Sequence, residues 1–341
     1  MARRFKRNSM KKIQPAVDTM QFDITIPSGT TQYIDLSQCA SLINRRFYRQ
    51  GINWVVGGFK LATAPAVGTV AISKLQNTWM TSNAWEKSMR TWMRMNEEAL
   101  DESTVRPRFL DFKIFADSGH HQAGFGANLL PAVGTIGSLS VADAGEWEPS
   151  KVVVPNTAGA VGAVNNFEII ATGANYPGGG ASGLNAVSMI EGYAASRSLP
   201  DVLDPNTPED AADVNGATPE NWMSALFNEG TSQDDQVLTD MIRENNVAPY
   251  PFENGPIAGG GTYTDTQYPG GANQLNLMQL HDISGITGTT IGGDTMLRGG
   301  NFPCGLIRID WTGDADLDGI LLINLVPGPH RGYLCESMVE M

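Results

Sequence analysis

Short runs of alternating apolar and polar residues recur along the chain, each bounded by glycine, proline, asparagine or serine clusters. That rhythm predicts strands over Met20–Pro27, Thr31–Leu36, Ile52–Ala62, Thr69–Leu75, Arg108–Asp117, Asn166–Thr172, Asn185–Ala194, Gly305–Trp311 and Gly319–Val326. In Arg108–Asp117 the set Leu110, Phe112, Ile114 and Ala116 alternates with Phe109, Asp111, Lys113 and Phe115, so one face is wholly apolar and is expected to face a core. The pattern changes period at Trp85–Leu100. There Trp85, Met89, Trp92 and Met93 fall on one helical stripe, with Asn83 as the expected cap and Glu86 completing a capping-box pair. Thr218-Pro219 predicts a second helical start leading into Trp222–Phe227, and a third helix is expected over Asp234–Asn245. The fold class this predicts is all-β, two packed antiparallel sheets with long loop insertions and one or two short helices.

The insertions are expected as glycine- and alanine-rich Ser118–Ser150, a short stretch over 173–183, and a long excursion over 197–272. Only 17% of the residues are charged, while Gly reaches 38 and Pro 19, as in a subunit that buries uncharged surface against neighbours. The net charge of −13 conceals a division. Arg3, Arg4, Lys6, Arg7, Lys11 and Lys12 give the first twelve residues a charge of +6. The rest of the chain sets 17 basic against 36 acidic side chains, a balance of −19. A basic arm on an acidic body points to a polyanionic partner. We therefore divide the chain into a basic arm over 1–19 and a body over 20–341. Arg45, Arg46 and Arg49, interleaved with Phe47 and Tyr48, form a second basic cluster of the composition that binds single strands.

Signatures of catalysis are missing from the sequence. His120, His121, His281 and His330 are the only histidines and none has metal-ligand spacing; the adjacent pair His120-His121 is expected in a strand-end loop. Cys39, Cys304 and Cys335 are too scattered for a disulfide framework and are expected as buried thiols. Asp314, Asp316 and Asp318 open like a D-x-D-x-D-G calcium loop. The glutamate such a loop requires is replaced by Leu325, which leaves calcium between subunits as a weak candidate and a solvated hairpin turn as the main expectation. No apolar run is long enough to span a membrane, and the residues after the basic start lack the apolar core of a secretory leader. Catalytic residues and cofactors are accordingly expected to be none.

Three segments carry a family resemblance. KLQNTWMTSNAWEK at 74–87, RFLDFKIFAD at 108–117 and NLVPGPHRGYLCESM at 324–338 resemble stretches of the capsid proteins of circular, Rep-encoding single-stranded DNA (CRESS-DNA) viruses, which also begin with a basic arm. The resemblance implies a viral jelly roll that self-assembles into an icosahedral shell, with the arm packaging single-stranded DNA, and a location in the virion after assembly in the host nucleus. The alternatives are a β-rich carbohydrate-binding or adhesive protein, a hydrolase on a β scaffold, and a coat protein of an RNA virus or phage.

Overall fold

A computed structural model describes residues 14–101, 111–135, 138–155, 164–197, 222–225, 276–288 and 294–341. The protein is mostly β. In chain order the first strands are β1 (Thr19–Ile26), β2 (Thr31–Asp35), β3 (Ile52–Thr63) and β4 (Gly68–Lys74). The last long ones are β10 (Gln279–Ile286), β11 (Asp294–Phe302), β12 (Leu306–Gly313) and β13 (Leu317–Leu325). These two groups pair in nested antiparallel fashion: β1 with β13, β2 with β12, β3 with β11 and β4 with β10. One long ribbon is thereby formed, and it folds over so that β13 also pairs with β3 and β12 with β4. The outcome is two sheets, ordered β11-β3-β13-β1 and β10-β4-β12-β2.

Alternation decides which side chains lie between them. β1 buries Met20, Phe22, Ile24 and Ile26 and turns Thr19, Asp23 and Thr25 to solvent. Trp54, Val56, Phe59 and Leu61 from β3 and Leu321 and Ile323 from β13 meet Ile34, Val70, Ile72, Ile307, Ile309 and Trp311 from the facing sheet in one core. Gly319 is required at a close approach: a Cβ there would collide with the Ala62 carbonyl of β3. It has no left-handed φ, and so adds no glycine turn geometry to the Asp314–Asp318 segment. That segment is not a hairpin either, because β12 and β13 belong to different sheets and the turn carries the chain from one to the other.

Residues 75–278 separate β4 from β10. Their described parts build a second core rather than loops alone. The helices are α1 (Leu36–Asn44), α2 (Trp79–Asp101), α3 (Ser118–Ala123), α4 (Met189–Arg197) and α5 (Trp222–Ala225), of which α1 precedes the insertion. Strands β5 (Ala132–Thr135) and β6 (Ser138–Val141) extend the first sheet beyond β1. β7 (Lys151–Pro155), β8 (Val164–Ile170) and β9 (Asn185–Ser188) form a small sheet of their own, in which β8 and β9 run parallel. β14 (Pro327–Gly328) pairs with β15 (Gly332–Tyr333), and β16 (Cys335–Ser337) with β3. Trp85, Trp92, Phe112, Ile114, Phe167 and Trp222 pack together with Tyr33 and Leu306, which face away from the first core.

Several expectations are corrected here. Ser118–Ser150 is not a loop excursion, since it contains α3, β5 and β6. The helical content exceeds one or two short helices, because α2 alone has 23 residues. It begins at Trp79, so Asn83 and Glu86 lie inside it and cap nothing; Thr78 stands at its start, its carbonyl accepting from Ser82 N–H at 3.1 Å. Asn185–Ala194 becomes a strand only to Ser188, whose hydroxyl then accepts from the Glu191 N–H and caps α4, a start that the apolar pattern concealed. The described part of Arg108–Asp117 makes a single bridge, Phe115 to Ile170. Its apolar face is real, with Phe112, Ile114 and Ala116 buried. The side-chain amide of Gln50 stands in for a partner strand, accepting from Ile114 N–H at 2.7 Å and donating to Ile114 O at 3.0 Å.

Candidate nucleic-acid interface

α1 starts at Asp35, whose carboxylate accepts from the N–H groups of Ser37 and Gln38, and stops at Arg45, which adopts left-handed φ of 50° with its N–H on Ser41 O. The chain then turns through 45–50 against the turn between β14 and β15. Tyr48 is fully buried, and its hydroxyl donates to Arg331 O at 2.9 Å. Arg46 donates to the same carbonyl at 3.3 Å, and Arg331 returns a hydrogen bond from its guanidinium to Phe47 O. Arg331 has a φ of 50°, a conformation held by these contacts from both sides.

The first described residues of the chain are fastened to this corner. Gln14 Oε1 accepts from Arg46 at 3.1 Å, Val17 N–H donates to Asn44 Oδ1 at 3.0 Å, and Val17 O accepts from the Tyr333 hydroxyl at 2.6 Å. The end of the arm, after its six basic residues, therefore enters the fold beside Arg45, Arg46 and Arg331. Arg45 and Arg49 are exposed. Arg3, Arg4, Lys6, Arg7, Lys11 and Lys12 lie outside the described residues, as does the expected helix over Asp234–Asn245. Tyr48 is part of the core and is not a stacking surface. Arg46 bonds to a carbonyl and an amide, not to acids. Arg331 was the residue missed by reading the basic clusters alone; it sits in the PGPHRG turn, more than 280 positions from Arg46.

Below this corner lies a groove of about 1030 Å³. Its walls are the 47–52 segment, the stripe of α2 and the C-terminal segment, and Arg49, Trp85, Trp92, Asp111 and Arg331 are among its lining residues. The α2 stripe thus has two roles. Trp85 and Trp92 are buried against Phe112, at ring-centroid distances of 6.1 and 5.7 Å, while Met93 remains exposed.

Burial pushes the Asp111 carboxyl up to about 7, and the nearby Lys113 and Arg49 only partly oppose this. Asp35 is pushed up to about 6 by burial despite donors from Gln50 and Trp147 at 3.0 and 2.9 Å. A carboxyl raised in the folded state contributes stability that is complete below its unfolded pKa and is lost as pH rises through the folded one. Asp111→Asn should accordingly match the wild type below about pH 4 and become the more stable protein above about pH 7, by up to about 4 kcal/mol. Urea unfolding midpoints of the two proteins across pH 4–8 check this; a pH-independent difference would refute it.

The remaining candidates are placed as follows. Asp314 Oδ1 accepts from Val67 N–H at 3.0 Å and Asp316 Oδ1 from Ser28 N–H at 3.3 Å, so both carboxylates tie neighbouring loops to the turn. Asp318 is exposed at the start of β13. No group of three or more histidine, cysteine or acidic side chains suited to a metal occurs among the described residues. His120 and His121 occupy α3, not a strand-end loop, and both are buried. His120 Nδ1 accepts from Ala116 N–H at 3.1 Å, so Nε2 carries the proton toward Asn128 Oδ1 at 2.8 Å, and burial lowers its pKa to about 4. His121 Nε2 lies 2.9 Å from Glu168 Oε2 in a fully buried pair. Cys39 and Cys304 are buried free thiols, while Cys335 is half-buried. No helix among the described residues is long and apolar enough to cross a membrane.

Comparison with protein-family models, with curated proteins and with solved structures finds no match for this chain.

Proposed function

We propose that this chain is the coat protein of a small virus of the CRESS-DNA type, a jelly-roll subunit that tiles an icosahedral shell and packages single-stranded DNA through its basic arm. The observation that carries the reading is the nested pairing of β1–β4 with β13–β10 in reverse order. A ribbon of four strand pairs rolled into two facing sheets is the plan of an eight-stranded jelly roll, an architecture that viral shells use. The electrostatic division supports the genome role: the first twelve residues carry +6 against −19 for the rest of the chain, and the segment after them is fastened at the corner where Arg45, Arg46 and Arg331 gather. This reading assigns no catalysis and no cofactor, and it implies residence in the virion with assembly in the host nucleus.

Apolar side chains at opposite ends of the first sheet support tiling by copies of the chain. Met296 on β11 is 66% exposed, with Ile283 and Leu280 exposed on the adjoining β10, and Val133 and Val141 are exposed on β5 and β6 at the far end. Complementary patches at two ends make a head-to-tail contact that closes into rings or shells. The purified chain should form uniform particles by light scattering and negative-stain microscopy. The double substitution Ile283→Lys with Met296→Lys should leave a folded protein whose stability shifts by less than about 1 kcal/mol and whose particles are lost. A wild-type chain that stays monomeric at high concentration overturns the shell reading. Particles that carry RNA instead of DNA would retain the shell and change the genome class.

A further inference from the structure

We infer that the hairpin of β5 and β6 joins two copies of this chain edge to edge, β6 of one against β6 of the other across a two-fold axis. The inference rests on the reading of the chain as a self-assembling subunit and names one contact of that assembly. The two large sheets end in four edge strands, β11 and β6 in one, β10 and β2 in the other. Three of them are blunted. At Arg298 on β11 the N–H donates to Asp282 Oδ2 at 2.7 Å and the carbonyl accepts from His281 Nε2 at 3.0 Å, so side chains plug that edge. β10, which supplies them, carries a bulge between Leu280 and Asp282. On β2 the Tyr33 carbonyl accepts from Leu129 N–H at 2.8 Å. Bulges, charged side chains and covering loops are the usual protection of a sheet edge, and among the described residues nothing of the kind guards β6.

The pairing pattern of the hairpin tells which groups face outward. Ala142 N–H donates to Pro131 O at 2.9 Å, and in an antiparallel ladder such bonded pairs alternate with unbonded ones. Val133 with Ser140 and Thr135 with Ser138 are then the bonded pairs, which leaves the N–H and C=O of Leu139 and Val141 directed away from β5. Ala132, opposite Val141, correspondingly pairs on its other side with Gln21 of β1. Two such edges fit one another in antiparallel register. Leu139 of each copy faces Val141 of the other, each pair exchanging both of its N–H···O bonds, and Ser140 faces Ser140 at the axis. Alternation puts Leu139 and Val141 on one face, so both copies place an apolar pair there; Val141 is 52% exposed in the single chain. The stretch 132–141 has no ionisable residue, in a body that carries −19 overall, so copies meet here without setting like charges opposite one another. Val133 lies on the other face of the hairpin and stays available to the end-to-end contact. A head-to-tail contact alone closes rings or runs on as filaments, and a two-fold supplies the second kind of contact that a shell needs.

The test uses the full chain with a cysteine placed in the hairpin and oxidised under conditions of assembly. Ser140→Cys should give a disulfide-linked dimer on a non-reducing gel, because residues facing each other in an unbonded antiparallel pair stand about 4.5 Å apart at Cα, within disulfide reach. Ser138→Cys, two residues along, should not, and the wild type with its own three thiols sets the background. Leu139→Pro removes an outward N–H and no bond of the hairpin. Its urea midpoint should stay near that of the wild type while the concentration needed for assembly rises at least about tenfold. Val141→Lys, which keeps the backbone donors and puts a cation in the shared face, should do the same and serves if proline unsettles the hairpin. Crosslinking of Ser138→Cys as efficient as that of Ser140→Cys, or assembly of both edge variants at the wild-type concentration, overturns the β6 contact and leaves the shell reading in place. A wild-type chain that stays monomeric at high concentration removes both.

Discussion

Trp54→Ala is expected to cost about 3–5 kcal/mol, enough to consume much of the stability of an ordinary domain and to loosen the basic corner as well. Trp54 lies on the central strand β3, fully buried, with ring centroids 5.8 Å from Tyr48 and 5.3 Å from Tyr333. Its indole N–H donates to Ser37 Oγ at 3.1 Å, so truncation also removes a buried hydrogen bond. The two tyrosines it supports hold Arg331 O and Val17 O. Loss of the ring therefore reaches the place where the arm joins the body. Urea denaturation checks the stability, and DNA affinity under conditions where the variant remains folded checks the coupling. Trp54→Phe, which restores most of the ring, should recover more than half of the loss. A Trp54→Ala protein within about 1 kcal/mol of wild type would show that this aromatic cluster does not organise the corner.

Deletion of Met1–Lys12 is expected to leave shells that assemble but hold far less nucleic acid. Six cations can neutralise up to about six phosphates, and on single strands each contributes roughly 0.7 to the slope of log affinity against log salt. The slope should fall by about 4, and binding at low salt should drop by orders of magnitude. What remains would come from the corner. Arg46→Ala with Arg331→Ala in the deleted chain should lower the slope by a further unit or so. Arg46 is expected to act on two counts, since it also ties Gln14 to the body. The ratio of absorbance at 260 and 280 nm of purified particles and a salt titration provide the two readings. Unchanged nucleic-acid content in the deleted particles would refute the packaging role.

Legibility in the sequence followed from where the side chains point. β1, β3, β12 and β13 alternate strongly because one face of each lies in the core, and the expected bounds come within two or three residues. β10 and β11 escaped because their large apolar residues, Leu280, Ile283 and Met296, face outward, and Gly299 and Gly300 interrupt the run where the Val56–Gly57 backbone and His281 approach closely. α1 is only nine residues long and was masked by the strand before it, although Asp35 and Gln38 begin it in capping-box positions. At the site, Arg45, Arg46 and Arg49 were visible as a local cluster. Arg331 was not, because it joins them only once β13 has paired with β1 and β3 and carried the following turn to the corner. The groove was likewise hidden: the aromatic stripe of α2 reads as core, and that is half of what it is.

The nested strand pairing also constrains how the molecule comes into being. Thr19 is aligned with Asn324 and Thr31 with Asp310, so the earliest strands to leave the ribosome wait for partners synthesised about 280 to 300 residues later. Until then their apolar faces have no opposing sheet, while the small sheet of β7–β9 and the helix α2, which find one another inside the insertion, can pack first. Such long-range closure is intrinsically slow. A nascent chain halted before Leu306 would lack β12 and β13, the strands that join β4 to β2 in one sheet and β3 to β1 in the other, so it could form the outer pairs β3–β11 and β4–β10 while β2 stayed without a sheet neighbour and β1 kept only its single pairing with β5.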